Sequence, residues 1–202
     1  TTPAAPPCFV CAKPSTSQCS RCTNARYCSP TCQKTDWKFH KLICAAFTTQ
    51  PPRPSPNFYR AILFPATELF PRFIWVEYTD PDSWITNQTE VHMGKGFLNH
   101  VSHDGSPNLK REHDFRLGIW HRDNYINEEE KSNMALEKSL GPKIAPYFQG
   151  NFLAHGYENG GEKYGDEDED GRPCDLDTRV VGTLARFFKA QGEAYWRSGY
   201  KI

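Results

Sequence analysis

Seven cysteines and one histidine fall between positions 8 and 44 in four close pairs: Cys8-x2-Cys11, Cys19-x2-Cys22, Cys28-x3-Cys32 and His40-x3-Cys44. Residues two or three apart, across a tight turn or on one face of a helix, can aim two soft ligands at one ion. Four such pairs fill two tetrahedral zinc sites with nothing left over, and sites closed in this way are structural. A disulfide framework is the rival reading of clustered cysteines. The odd count in the cluster and the ligand spacing of His40 argue against it. Cys174, far from the cluster, reads as a lone reduced thiol. Spacing alone leaves open which pairs share an ion.

So short a segment needs the metal. Domains below about 40 residues rarely bury enough apolar surface to offset their chain entropy. A structural zinc contributes on the order of 10 kcal/mol of apparent binding energy, against a few kcal/mol from so small a core. The segment is therefore expected to be unfolded without metal. Ser29 reads as a helix N-cap and Pro30 as the first helical residue, with the helix running through Gln33, Trp37, His40 and Lys41 to Cys44. The preceding Asn24 to Cys28 reads as a short strand or extended turn, whose edge offers a place for a partner peptide to add a strand.

The stretch YCSPTCQKTDWKFHKLIC, Tyr27 to Cys44, preceded by the two Cys-x2-Cys knuckles, closely resembles the MYND-type zinc finger. The resemblance covers residues 8–44, and what it adds is an expected interleaving of the pairs. Cys8, Cys11, Cys28 and Cys32 are implied to hold one zinc, and Cys19, Cys22, His40 and Cys44 the other. Members of the family bind proline-rich peptides with a corresponding Gln and Trp beside a short strand. The resemblance implies the same use for Gln33 and Trp37, which are neighbours four apart on a helix, and for Ala25, Arg26 and Tyr27. The competing reading is that Trp37 only roofs a small core.

Six cations, Lys13, Arg21, Arg26, Lys34, Lys38 and Lys41, face the single carboxylate Asp36 within the finger, a formal charge of plus five. Zinc with four thiolates carries about minus two and zinc with three thiolates and a histidine about minus one, which leaves roughly plus two. The whole chain is formally neutral. Nucleic-acid binding depends on dense Lys and Arg clustering, so it is not expected here. A protein partner with a proline-containing segment is.

The organisation expected is a disordered leader (1–7), the finger (8–47), a stiff proline-rich linker (48–57) and an α+β domain of unknown function (58–202) with a mostly antiparallel or mixed sheet and a C-terminal helix. Strands are read at 58–65, 71–78, 116–123 and 146–157, and a helix at 127–141 that stops at Gly141. The C-terminal helix carries Val180, Val181, Leu184, Phe187, Phe188 and Tyr195 at helical spacing after an Asp177 or Thr178 cap. Fragments such as AILFP and PRFIWV resemble uncharacterised fungal proteins bearing the same finger, which implies no activity. No stretch has the length and hydropathy of a membrane span or a secretory signal, and reduced cysteines fit nucleus, cytoplasm or both. In that setting the sequon at Asn87 carries no meaning.

An enzyme in residues 58–202 is the rival expectation, with the finger recruiting substrate. Proteins with this finger include SET methyltransferases, and FLNHVSHDGSPN (97–108) superficially resembles their Asn-His signature. The cysteine of that signature is absent, Gly94 and Gly96 lie directly before it, and no further Cys-rich segment follows. Histidines concentrate at 92, 100, 103, 113 and 121, and His121-x-Asp123 with His155 could sketch a facial metal triad. Asp166, Asp168, Asp170, Gly171 and Asp177 match a calcium-loop spacing. Gly160, Gly161 and Gly165 spoil the entering helix, however, and Pro173 replaces an apolar residue. No serine elbow or phosphate loop appears, and carboxylates around Cys174 disfavour its thiolate. The stronger expectation is a zinc-stabilised adaptor with no catalytic residues, and the resemblance to the MYND-type finger implies a place for it in transcriptional or chromatin regulation.

Overall fold

The computed structural model describes residues 5–78, 89–94, 98–103, 115–122, 131–141, 148–158 and 172–197. In the finger, β1 (Ser17–Gln18) and β2 (Arg26–Tyr27) form an antiparallel hairpin. Helix α1 (Pro30–His40) starts as its sequence dictates: Pro30 stands at the first turn and the Ser29 hydroxyl accepts from Cys32 N–H at 3.3 Å. It does not run on to Cys44. Lys41 to Ile43 form a turn, and Cys44 opens a separate helix α2 (Cys44–Thr49), so Cys32 and Cys44 are not on one continuous helix. Pro6 and Pro7, assigned by composition to a disordered leader, are anchored: Ser15 N–H donates to Pro6 O, and Pro7 bridges Pro14.

Beyond the finger lies an antiparallel sheet built from β3 (Phe58–Phe64), β4 (Arg72–Glu77), β5 (Leu98–His103), β6 (Phe115–Arg122), β7 (Phe152–Glu158) and β8 (Pro173–Cys174). Their order is β4-β3-β7-β6-β5, and β8 pairs with the second half of β7, where β3 has diverged. The expected strand at 146–157 begins only at Phe152. Gly150, at φ 72°, turns the chain just before it, while Gln149 bridges Ser132. Helices α3 (Thr89–Met93), α4 (Met134–Leu140) and α5 (Val181–Arg197) complete the described elements. The helix expected from 127 begins at Met134, because Asn133 caps it and ties the cap to Phe64 and Gly150 carbonyls at 2.8 and 2.7 Å. Residues 123–130 lie outside the described part. Asp177 caps a 3-10 turn (Thr178–Val180) that runs into α5.

Alternation along the strands gives the sheet two apolar faces. Ile62, Phe64, Leu117, Ile119, Phe152 and Ala154 face α5, where Phe64, Phe148, Phe152 and Phe188 meet edge to face at 5.3 to 5.6 Å. Ala61, Leu63, Val76, Tyr78, Trp120, Leu153 and Tyr157 form the opposite face, with Met93 of α3.

The finger is built into this core. Leu42 and Ile43 are buried in the same cluster as Leu184 and Phe188. Phe39 lies against Gly182 of α5, where an added Cβ would be 3.3 Å from its ring. Asn24 Oδ1 accepts from both N–H and Oγ1 of Thr178 at 3.3 and 2.7 Å. Phe47 packs edge to face on Phe73 at 5.3 Å. The proline-rich stretch is also strapped down: Trp75 Nε1 donates to Pro51 O at 2.9 Å, and the Arg53 guanidinium stacks over Trp75 at 5.0 Å. Residues 48–57, expected to space two units apart, are held against β3 and β4.

Candidate metal centres

The chain path brings together the two ligand sets that the resemblance implies. Cys8, Cys11, Cys28 and Cys32 converge at one point and Cys19, Cys22, His40 and Cys44 at another, each set of ligand atoms within 4.8 Å of one another. A tetrahedral zinc with bonds of about 2.3 Å spaces its sulfurs by about 3.8 Å. The first set has Sγ separations of 3.4 Å (Cys11 to Cys28), 3.6 Å (Cys28 to Cys32) and 3.9 Å (Cys11 to Cys32). In the second, Cys19 Sγ is 3.7 Å from Cys44 Sγ, and His40 Nε2 lies 3.5 Å from Cys22 Sγ. None of the eight cysteines is in a disulfide. The donor chemistry and spacing fit two zinc ions per chain.

Electrostatics explains why the ions are needed. Crowding by the Cys11 and Cys32 thiols pushes Cys28 up to about 12. Burial, followed by Cys19 and Cys22, does the same to Cys44. Burial also raises Cys8, but the N–H groups of Val10, Cys28 and Cys11 outweigh it and bring that thiol down to about 6. Four thiols at this spacing cannot all ionise unless a divalent cation takes up their charge. Burial keeps His40 neutral, the form that ligates.

The two centres differ in surroundings. All four ligands of the Cys19/Cys22/His40/Cys44 centre are buried, and Tyr27 covers it with its ring edge-on to His40 at 6.5 Å. In the Cys8/Cys11/Cys28/Cys32 centre only Cys8 is buried and Cys11 is exposed.

On α1, Phe39 is turned toward α5, and Trp37, two residues back, lies about 200° away around the helix axis. Trp37 is accordingly 47% exposed, and Gln33, one turn earlier, is exposed beside it. The strand side differs from expectation. Ala25 and Tyr27 have buried side chains, and Tyr27 is tied to α1 by donating to Asp36 at 2.8 Å. The Arg26 carbonyl accepts from Phe9 N–H, while those of Ala25 and Tyr27 accept from Cys19 and Thr16. The hairpin's outer strand is β1, whose Ser17 and Gln18 are exposed.

The remaining candidates separate. His121 lies on the α5 face of the sheet beside Phe152, whereas His155 lies on the opposite face with Tyr78 and Trp120, so strand alternation prevents them from sharing an ion. Asp123, His113 and Asp166 to Asp170 lie outside the described residues. Asp177 is engaged by Arg179 N–H and guanidinium as a cap. Cys174 is pushed up to about 12 by burial and then by Glu158 and Asp175. Among the described residues only the two finger clusters gather three or more metal-ligating side chains. Spacing did not reveal the pairing across the sheet. His100 and His155 meet over Gly118 with their Nε2 atoms 3.1 Å apart, and a Cβ at Gly118 would fall 2.3 and 2.4 Å from those atoms. Tyr78 OH reaches His155 Nδ1 at 3.2 Å. No described helix is long and apolar enough to cross a membrane.

Comparison with known proteins agrees with the geometry. The family model described as the MYND finger matches residues 8–44. The chain is 56% identical over 41 residues to ubiquitin carboxyl-terminal hydrolase 19 of Arabidopsis thaliana, which is 20% of this chain and 6% of that protein. It is 54% identical over 39 residues to N-lysine methyltransferase SMYD2 of Gallus gallus, 19% of this chain and 9% of that one. With the SET domain and MYND-type zinc finger protein 6 of Schizosaccharomyces pombe it shares 49% over 41 residues, 19% of this chain and 8% of the other. The chain thus spans less than a tenth of the length of these relatives, and no solved structure matches it. Residues 8–44 are a MYND-type zinc finger organised by two zinc ions.

Proposed function

We propose that this protein is a non-enzymatic adaptor whose finger captures a proline-containing segment of another protein, in transcriptional or chromatin regulation in the nucleus, the cytoplasm or both. The observation that carries the reading is the orientation of α1. Its Phe39 side is spent on the α5 contact, yet Gln33 and Trp37 stay exposed on the other side, beside the hairpin that Tyr27 fastens to the helix. A large indole left half in water offers a flat platform for a proline ring, and the neighbouring amide can hydrogen-bond an extended backbone. The proposed site takes in Ala25 and Tyr27, whose side chains are buried, and Arg26, which is half-exposed. The relatives' names support a transferable module, since similar fingers occur in a ubiquitin hydrolase and in a methyltransferase. A finger shared between different chemistries recruits rather than reacts.

The test is capture of immobilised proline-containing peptides by wild type and Trp37→Ala, with zinc content measured in parallel. The variant is expected to keep both ions and lose capture. Undiminished capture would show that this surface is not the binding face.

A further inference from the structure

The two metal centres are unequal in a way that stability alone does not require. The Cys19/Cys22/His40/Cys44 centre is sealed on all sides, and the turn that joins its His40 to Cys44 contributes Leu42 and Ile43 to the core shared with α5. The other centre draws its ligands from three separate segments: the first turn (Cys8, Cys11), the bend just after β2 (Cys28) and the opening turn of α1 (Cys32). Cys11 is exposed, sits next to Ala12 at φ 59°, and has its Sγ 3.4 Å from that of Cys28 and 3.9 Å from that of Cys32. Thiolate character together with solvent access governs which cysteines oxidise. Zinc enforces the first for all four sulfurs, and the structure grants the second to Cys11.

We propose that Cys11 and Cys28 form a peroxide-sensitive pair, whose oxidation releases the zinc of the exposed centre while the buried centre keeps its own. The Cys11 thiolate attacks hydrogen peroxide, the O–O bond breaks, hydroxide leaves and Cys11 becomes a sulfenic acid. The Cys28 thiolate then attacks that sulfur, the S–S bond forms and a second hydroxide leaves. Two electrons from the two thiolates reduce one peroxide to two hydroxides, which water protonates. Cys8 and Cys32 alone cannot hold the ion in a closed site, so it departs. A small thiol and fresh zinc reverse the change by thiol–disulfide exchange. The first turn and the start of α1 loosen, and the finger stays docked through Leu42, Ile43 and Asn24.

The experiment exposes the full two-zinc chain to graded hydrogen peroxide, follows zinc release with a chromogenic chelator, and maps oxidation by native and peptide mass spectrometry. One zinc is expected to leave at least about tenfold faster than the other, together with a Cys11–Cys28 bridge, while Cys19, Cys22 and Cys44 remain thiolates. A Cys174→Ala variant, which leaves both centres untouched, should behave identically. Loss of both ions together, first oxidation at the buried centre, a bridge between any other pair, or dependence on Cys174 would overturn the assignment. So would retention of both ions at peroxide levels that oxidise a free thiol in the same solution.

Discussion

The finger and the sheet domain reach order by opposite routes. In the finger, the buried side chains around the ligands are few, chiefly Phe9, Ala25 and Tyr27, and ions take the place of a core. In the sheet domain, two faces of interlocking apolar residues do the work, and among the described residues no third ligand cluster is found. The comparison teaches where the routes join. Ile43 and Leu42 stand between two zinc ligands in sequence yet belong to the apolar core of the other region. Metal binding in one region therefore positions packing residues for the other.

Cys44→Ser should break the contrast most severely. Removing one ligand of the buried centre forfeits much of a binding energy on the order of 10 kcal/mol. The expected result is loss of that zinc, collapse of finger signals in NMR spectra, and a lower melting temperature for the sheet domain as Leu42 and Ile43 lose their positions. Phe188→Ala tests the other side. Emptying the centre of the aromatic cluster should cost roughly 3–5 kcal/mol in urea unfolding while both zinc ions stay bound in the folded fraction.

Acid should distinguish the regions more gently. Burial, then His121, lowers His100 to about 4, and burial, then His100, holds His155 well below its usual range. Below about pH 6.5 the unfolded chain takes up protons that the folded sheet refuses. Stability is thus full above that value and falls as the pH drops toward 4. For His100, allowing for its partial exposure, the loss is on the order of 2 kcal/mol. Urea titrations at a series of pH values should show it, and His100→Gln should flatten the slope. The smallest stability effect is expected of Trp37→Ala, about 1 kcal/mol, because about half of its side chain is already in water. A much larger change in urea unfolding would mean that Trp37 roofs the finger core.

Legibility in the sequence follows the same division. Ligand spacing is local chemistry, so both ion sites, the Ser29 cap and Pro30 could be read directly, and the two ligand sets assemble as the family resemblance implies. The break between His40 and Cys44 escaped that reading, because helical spacing continues through it. The apolar pair Leu42-Ile43, unused by either ion, was the available signal. Strands 58–64 and 72–77 were legible from their branched and aromatic runs. Their partners were not, because register depends on contacts far apart in sequence. The His100, Gly118 and His155 crossing is set wholly by how β5, β6 and β7 align. The linker misled for a related reason. Its prolines announce stiffness, but Trp75 and Arg53, which fasten it, act across the fold.

The most direct measurement is a residue-resolved NMR spectrum of the full, reduced chain before and after both ions are stripped by a strong chelator. The account predicts that amides of residues 8–44 lose their dispersion on stripping and regain it with two equivalents of zinc, while those of β3, β6 and β7 stay dispersed. A finger whose amides remain dispersed in metal-free, bridge-free protein would contradict it.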